Sequence, residues 1–150
     1  MPYVVDGNNL LGFLSGKPRP SEEERRRLLG QIADRLRGLR ARVLVVFDGP
    51  SETGKAASSL GQLSIRYSED RSADDVIARV AAQSPAPSDL HVVTDDRGLA
   101  VRVRHAGAKT LSAGEFWSRF SRAQPREGGS TAVDVEDWIE FFSDDQNRLP

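Results

Sequence analysis

The sequence contains no cysteine. That excludes a disulfide framework, a thiolate metal site and a cysteine nucleophile. Histidine occurs twice, at His91 and His105, which leaves little material for a histidine-based triad. No apolar run approaches the roughly 20 residues that cross a bilayer, and no basic stretch leads into an apolar one at the amino terminus. The expectation is a cytoplasmic protein with no membrane contact. There is no internal repeat and no long low-complexity tract, and 150 residues suit one domain with a substantial core.

Net charge is small, at −1, but unevenly placed. Residues 123–150 carry seven acids (Glu127, Asp134, Glu136, Asp137, Glu140, Asp144, Asp145) against Arg126 and Arg148, a net −5. Taking these from 21 bases and 22 acids leaves 19 and 15 for residues 1–122, a net +4. A mildly basic body admits an anionic substrate.

The strongest local signal is Val43-Leu44-Val45-Val46-Phe47-Asp48-Gly49, apolar at every position before the acid. It predicts a strand buried on both faces, with Asp48 at its carboxyl end, where open parallel sheets gather their chemistry. Residues 2–6 predict a first strand ending on Asp6, and 12–20, with two glycines and two prolines, a loop. Ser21 and Glu24 form a capping box ahead of a helix whose Leu28, Leu29, Ile32, Leu36 and Leu39 follow the helical period. A glycine- and serine-rich connection over 49–62 precedes a strand at 63–67. A helix from Ser72 to about Gln83, a strand at 90–94, a helix over 97–105, a strand at 108–111 and a helix from Ser112 follow. This alternation implies a three-layer α/β fold with a mostly parallel central sheet. Phe116, Trp117 and Phe120 have core spacing. Residues 124–132 predict a flexible linker, and 133–150 an acidic amphipathic tail carrying Trp138, Phe141 and Phe142. The tail is a candidate to pack on the body, on a second copy or on a partner, either a ribosome or another protein.

Three predicted strands end in aspartate: Asp6, Asp48, and Asp95 or Asp96. Carboxylates converging on one rim repel each other and are costly to desolvate unless cations compensate. Mg²⁺ or Mn²⁺ takes oxygen ligands and keeps some waters, which suits phosphodiester hydrolysis. A fourth acid lies in Ser72-Ala73-Asp74-Asp75. At about 100° per residue, Asp75 falls about 170° from the centre of the Val76/Ile77/Val80/Ala81 stripe, toward solvent and Arg79, whereas Asp74 falls about 90° away and can look toward the rim. Asn8 and Asn9 read equally as turn residues or as amides that fix a bound water or phosphate.

Asp6-Gly-Asn-Asn9, Val46-Phe47-Asp48-Gly49, Ala73-Asp74 opening a helix, and Val92-Val93-Thr94-Asp95-Asp96-Arg97 together resemble the NYN domain of YacP-like proteins, within the PIN-like nuclease superfamily. The resemblance covers nearly all of residues 2–120. It implies a Rossmann-like sheet and an endoribonuclease dependent on Mg²⁺ or Mn²⁺. Residue by residue it implies Asp6, Asp48, Asp74 and Asp96 as metal-holding catalytic acids, with Asn9 assisting; Asn8, Asp95 and Asp75 stay neighbouring candidates on the reading of the residues alone. The expected organisation is then a nuclease domain over 1–123, the linker and the tail.

Two other readings compete. A non-catalytic NYN module would bind RNA or protein on the same fold. Gly49-Pro-Ser-Glu-Thr-Gly54-Lys55-Ala56 approaches a phosphate-binding loop, but Ala56 supplies no oxygen where the motif needs Ser or Thr to hold Mg²⁺. Lys55, with Arg97 and Arg102, is therefore read as a contact to RNA phosphates.

Overall fold

Val43–Phe47 is apolar throughout because both faces of its strand are covered. Val43, Val45 and Phe47 pack into one helical layer, and Val46 into the other. A computed structural model describes residues 2–16, 21–51 and 57–122. Lys55, the expected linker 124–132 and the expected tail 133–150 lie outside them.

In chain order the elements are β1 (Pro2–Asp6), α1 (Gly7–Ser15), α2 (Glu22–Leu36), β2 (Arg42–Phe47), β3 (Ala57–Leu60), β4 (Leu63–Tyr67), α3 (Ala73–Gln83), β5 (His91–Val93), α4 (Arg97–His105), β6 (Lys109–Leu111) and α5 (Ala113–Arg122). The sheet order is β3-β4-β2-β1-β5-β6, parallel except for β3 at one edge. β1 lies at the centre, with Asp6 paired to Val46 on one side and Val5 to Val93 on the other. Strand order reverses about β1, so the crevice at its carboxyl end is the natural ligand position of such a sheet.

Leu10, Leu28, Leu29, Ile32, Phe116 and Phe120 of α1, α2 and α5 cover Val5, Val45 and Phe47. On the opposite face Ala73, Val76, Ile77 and Ala81 of α3, with Leu99 and Val103 of α4, cover Val4, Val46 and Val92. The three-layer expectation therefore holds. The predicted capping box of Ser21 with Glu24 is complete, and Ser112 with Glu115 forms a second one ahead of α5. Phe116 and Phe120 are core residues, their ring centroids 4.5 Å apart.

Two expectations need correction. Residues 12–15 are not loop but the end of α1, which stops at Gly16 with φ 73°. Asp6 serves as its N-cap, and Leu10 and Leu11 give it an apolar face strong enough to outweigh Gly7 and Gly12. The connection 49–62 also contains β3, which pairs antiparallel with β4 across a turn at Gly61, φ 59°. As a strand follows Lys55 instead of a helix, the phosphate-binding loop reading loses the helix N-terminus it requires. Among the described residues, no helix is long and apolar enough to cross a membrane.

Candidate active site

Strand alternation puts Asp6 and Asp48 on the same side. Val4 and Val46 face the α3–α4 layer, so the residues two positions on, Asp6 and Asp48, leave the sheet toward that layer. Thr94, two residues after Val92, obeys the same parity. Its hydroxyl donates to Asp6 Oδ2 at 3.4 Å. Asp74, on the first turn of α3, closes this side. Asp6, Asn8, Asn9, Asp48 and Asp74 line one open pocket of about 430 Å³.

Asp6 is buried, at 7% exposure. Its Oδ1 accepts the Asn9 N–H at 3.4 Å, which caps α1. Burial raises its pKa from 3.8 to about 6, and the charges of Asp74 and Asp96 push the same way against the bonds from Asn9 and Thr94. Asp74 is also raised, first by burial and next by Asp96, with Asp48 and Asp75 adding to the effect and Arg102 opposing it. Asp48 is held differently. Its Oδ1 accepts the Ala73 N–H at the start of α3, 2.9 Å away, and lies 3.4 Å from the Ser68 hydroxyl that donates to it. A carboxylate there also meets the positive end of the α3 dipole.

Asn8 and Asn9 tie the rim together. Asn8 Oδ1 accepts the Asp48 N–H at 2.9 Å, on the β2 side, and Asn9 Oδ1 accepts the Asp95 N–H at 3.0 Å, on the β5 side. Consecutive side chains on the first turn of α1 thus bind the strand ends flanking β1. Gly7 lets that turn lie against β2: a Cβ there would stand 2.6 Å from the Phe47 ring and 2.9 Å from Val45.

The YacP-like NYN domain family matches residues 3–136. The chain belongs to that family. Rae1 (YacP) from Bacillus subtilis has a crystal structure similar to this one, with a TM-score of 0.67 at 21% identity, covering 93% of this chain and 80% of that one. A tryptophan-to-leucine mutant of the same protein gives 0.66 at 22%, covering 91% of each chain. No curated protein matches the sequence. The family match runs past Arg122, the last described residue.

In this NYN domain, a PIN-like nuclease fold, the two neighbouring acids after β5 divide their work between two helices. Asp96 caps α4, accepting the Leu99 N–H at 3.1 Å, while its charge still acts on Asp6 and Asp74. The Asp95 carboxylate turns to the start of α5 and accepts the Ala113 N–H at 3.1 Å. Asp75 is exposed as expected, but its partner is Arg102 at 3.3 Å, across the gap to α4, and not Arg79. Arg97 is exposed at the start of α4. Sequence reasoning missed Thr94 and Ser68. Strand parity alone would have found Thr94. Ser68 accepts the Gly49 N–H at 2.8 Å, and only the turn itself, with Gly49 at φ 91°, reveals it.

The donors in this pocket are carboxylate and amide oxygens, the type that Mg²⁺ and Mn²⁺ take, and the Asp6 carboxyl, raised first by burial and then by the charges of Asp74 and Asp96, bears a cost that a cation would offset. The chemistry of the set therefore fits a hard divalent ion. Among the described residues, no three acids or histidines stand close enough together to enclose an ion as they are placed.

Proposed function

We propose that this NYN domain is an endoribonuclease dependent on Mg²⁺ or Mn²⁺, with Asp6, Asp48, Asp74 and Asp96 as its metal-holding acids. The observation that carries the reading is the convergence of acids from the ends of β1 and β2 and the first turn of α3 on one pocket, where burial and the neighbouring acids raise the Asp6 carboxyl. A bound divalent ion would supply charge neutralisation at the scissile phosphate and an acidified water. The chain's own residues do the rest. Asp6 is fixed by Thr94 and the Asn9 amide, so its carboxylate is pre-positioned at the centre of the rim. Asp48 is held by the α3 amide at Ala73, and Asn8 fixes its backbone. Asp74 stands beside them at the mouth of the pocket, with one face to solvent. RNA enters as the partner, and the cytoplasm as the compartment, as parts of this same reading.

A non-catalytic module that binds RNA or protein is the second reading. It is favoured by the spacing of the acids, which brings no three described ones into a single shell. Cleavage of single-stranded RNA by wild type and Asp48→Asn, with and without Mg²⁺ or Mn²⁺, decides between them. On the nuclease reading, loss in the variant exceeds the roughly 10–100-fold typical of a mutated outer-shell partner, while its circular dichroism is unchanged. Metal-independent cleavage, or equal rates in both proteins, sinks it.

A further inference from the structure

α3 and α4 lie side by side on one face of the sheet and leave an open groove of about 870 Å³ between them. Its floor is apolar and built from small residues, with Ala78 and Ala82 from α3 and Val101 from α4. Val101 is 59% exposed and gives the groove an apolar contact surface open to a ligand. The rim carries three arginines, Arg71, Arg79 and Arg102, with His105 beside them, against one acid, Asp75.

Arg71 and Arg79 form no ion pair with any described residue. Arg102 is held by Asp75, but both side chains are half exposed, at 50% and 57%. An exposed pair of this kind contributes about 0–1 kcal/mol, so Arg102 can turn to a stronger anion at little cost. Guanidinium groups bind phosphate in bidentate fashion, and three along one groove match a polyanion better than a single charged ligand. The groove also begins where the acidic pocket ends. Asp75 lines the groove, its neighbour Asp74 lines the pocket, and Arg102 acts electrostatically on Asp74.

We propose that the α3–α4 groove holds the sugar–phosphate backbone of single-stranded RNA as it leaves the acidic pocket. The proposal rests on the ribonuclease reading for its ligand. Among the described residues no phenylalanine, tyrosine or tryptophan lines the groove, so His105 is the one aromatic ring there and the arginines carry the contact. Phosphates meet the arginines, riboses lie on the alanine and valine floor, and the contact is indifferent to sequence and sensitive to salt.

The test uses the full chain and a short fluorescein-labelled oligouridylate in EDTA, where binding is measured by anisotropy over a range of KCl. Arg71→Gln with Arg79→Gln should weaken binding by about tenfold and reduce the salt slope by about 1.4, at about 0.7 per phosphate contact on a single strand. Arg71→Lys with Arg79→Lys, which keeps both charges, should restore most of that slope. Affinity within about twofold of wild type and an unchanged slope in the glutamine pair overturn the groove. So does a fluorescein-labelled acidic peptide with the sequence of residues 133–145 that binds wild type and loses affinity in the glutamine pair while the oligonucleotide does not bind, since the ligand is then a protein. Cleavage that needs Asp48 but ignores the groove arginines removes this proposal alone. RNA bound through the arginines yet never cut with Mg²⁺ or Mn²⁺ removes the nuclease reading alone.

Discussion

Asp6→Asn should make the metal-free protein more stable near neutral pH, by an amount the environment of the carboxyl fixes. Asp6 is buried, and its pKa stands at about 6 in place of 3.8. A gap of about two units corresponds to about 3 kcal/mol of charge cost in the folded state. The sign follows from proton binding. The folded protein keeps this proton to higher pH than the unfolded chain does, so stability is highest below about pH 4, falls as pH rises from about 4 to 6, and stays low above. Asparagine carries no charge. Its Oδ1 can still accept the Asn9 N–H, its amide can donate to Thr94 Oγ1, and it caps a helix as well as aspartate does. The lost attraction to the α1 dipole costs about 0.5 kcal/mol, leaving a net gain of about 2.5 kcal/mol at pH 7.5 and less than about 1 kcal/mol at pH 4. Urea unfolding in EDTA at the two pH values measures both numbers. Added Mg²⁺ at pH 7.5 should narrow the gap, because the ion stabilises only the wild type. If the variant is less stable than wild type by the same amount at both pH values, Asp6 carries no desolvated charge and the reasoning fails.

Two smaller changes test how the rim is supported. Gly7→Ala drives a methyl into the buried Phe47 ring and should cost about 1–3 kcal/mol in urea unfolding, despite alanine's better helix propensity; a stability gain would mean α1 can lift off β2. Asn8→Ala leaves the Asp48 N–H without its acceptor and should lower metal-dependent cleavage by roughly 10–100-fold while costing only about 1 kcal/mol of stability; full activity would show that Asp48 needs no such brace.

The layers and the parallel sheet were legible because each buried strand announces itself. Val43–Phe47 is apolar on both faces, Leu90–Val93 is apolar but for His91, and a helix with a capping serine lies between them. β3 was not legible. An edge strand with one covered side needs no apolar alternation, and Ala57-Ser58-Ser59 gives none. α1 was hidden by its own glycines, although Asp6 as cap and Leu10–Leu11 as buried face were both in view. For the candidate site, helical phase correctly separated exposed Asp75 from half-buried Asp74, but phase says nothing about partners on another helix, and Arg102 took the place given to Arg79. Asp95 and Asp96 could not be told apart from sequence, as both are cap residues and only the positions of α4 and α5 assign each its helix.

Asn8 and Asn9 are neighbours along the chain, yet their side chains bond segments 40 and 86 residues away. Contacts of that range form only after long loops have closed, so they come late in folding. Before then the acids are scattered over some ninety residues of unfolded chain, where they neither repel one another nor share an ion. A nascent or partly unfolded copy of this protein therefore has no weak version of its site. If the pocket cuts RNA, the activity arrives all at once with the finished sheet, and a cell making the chain is shielded from it until folding is complete.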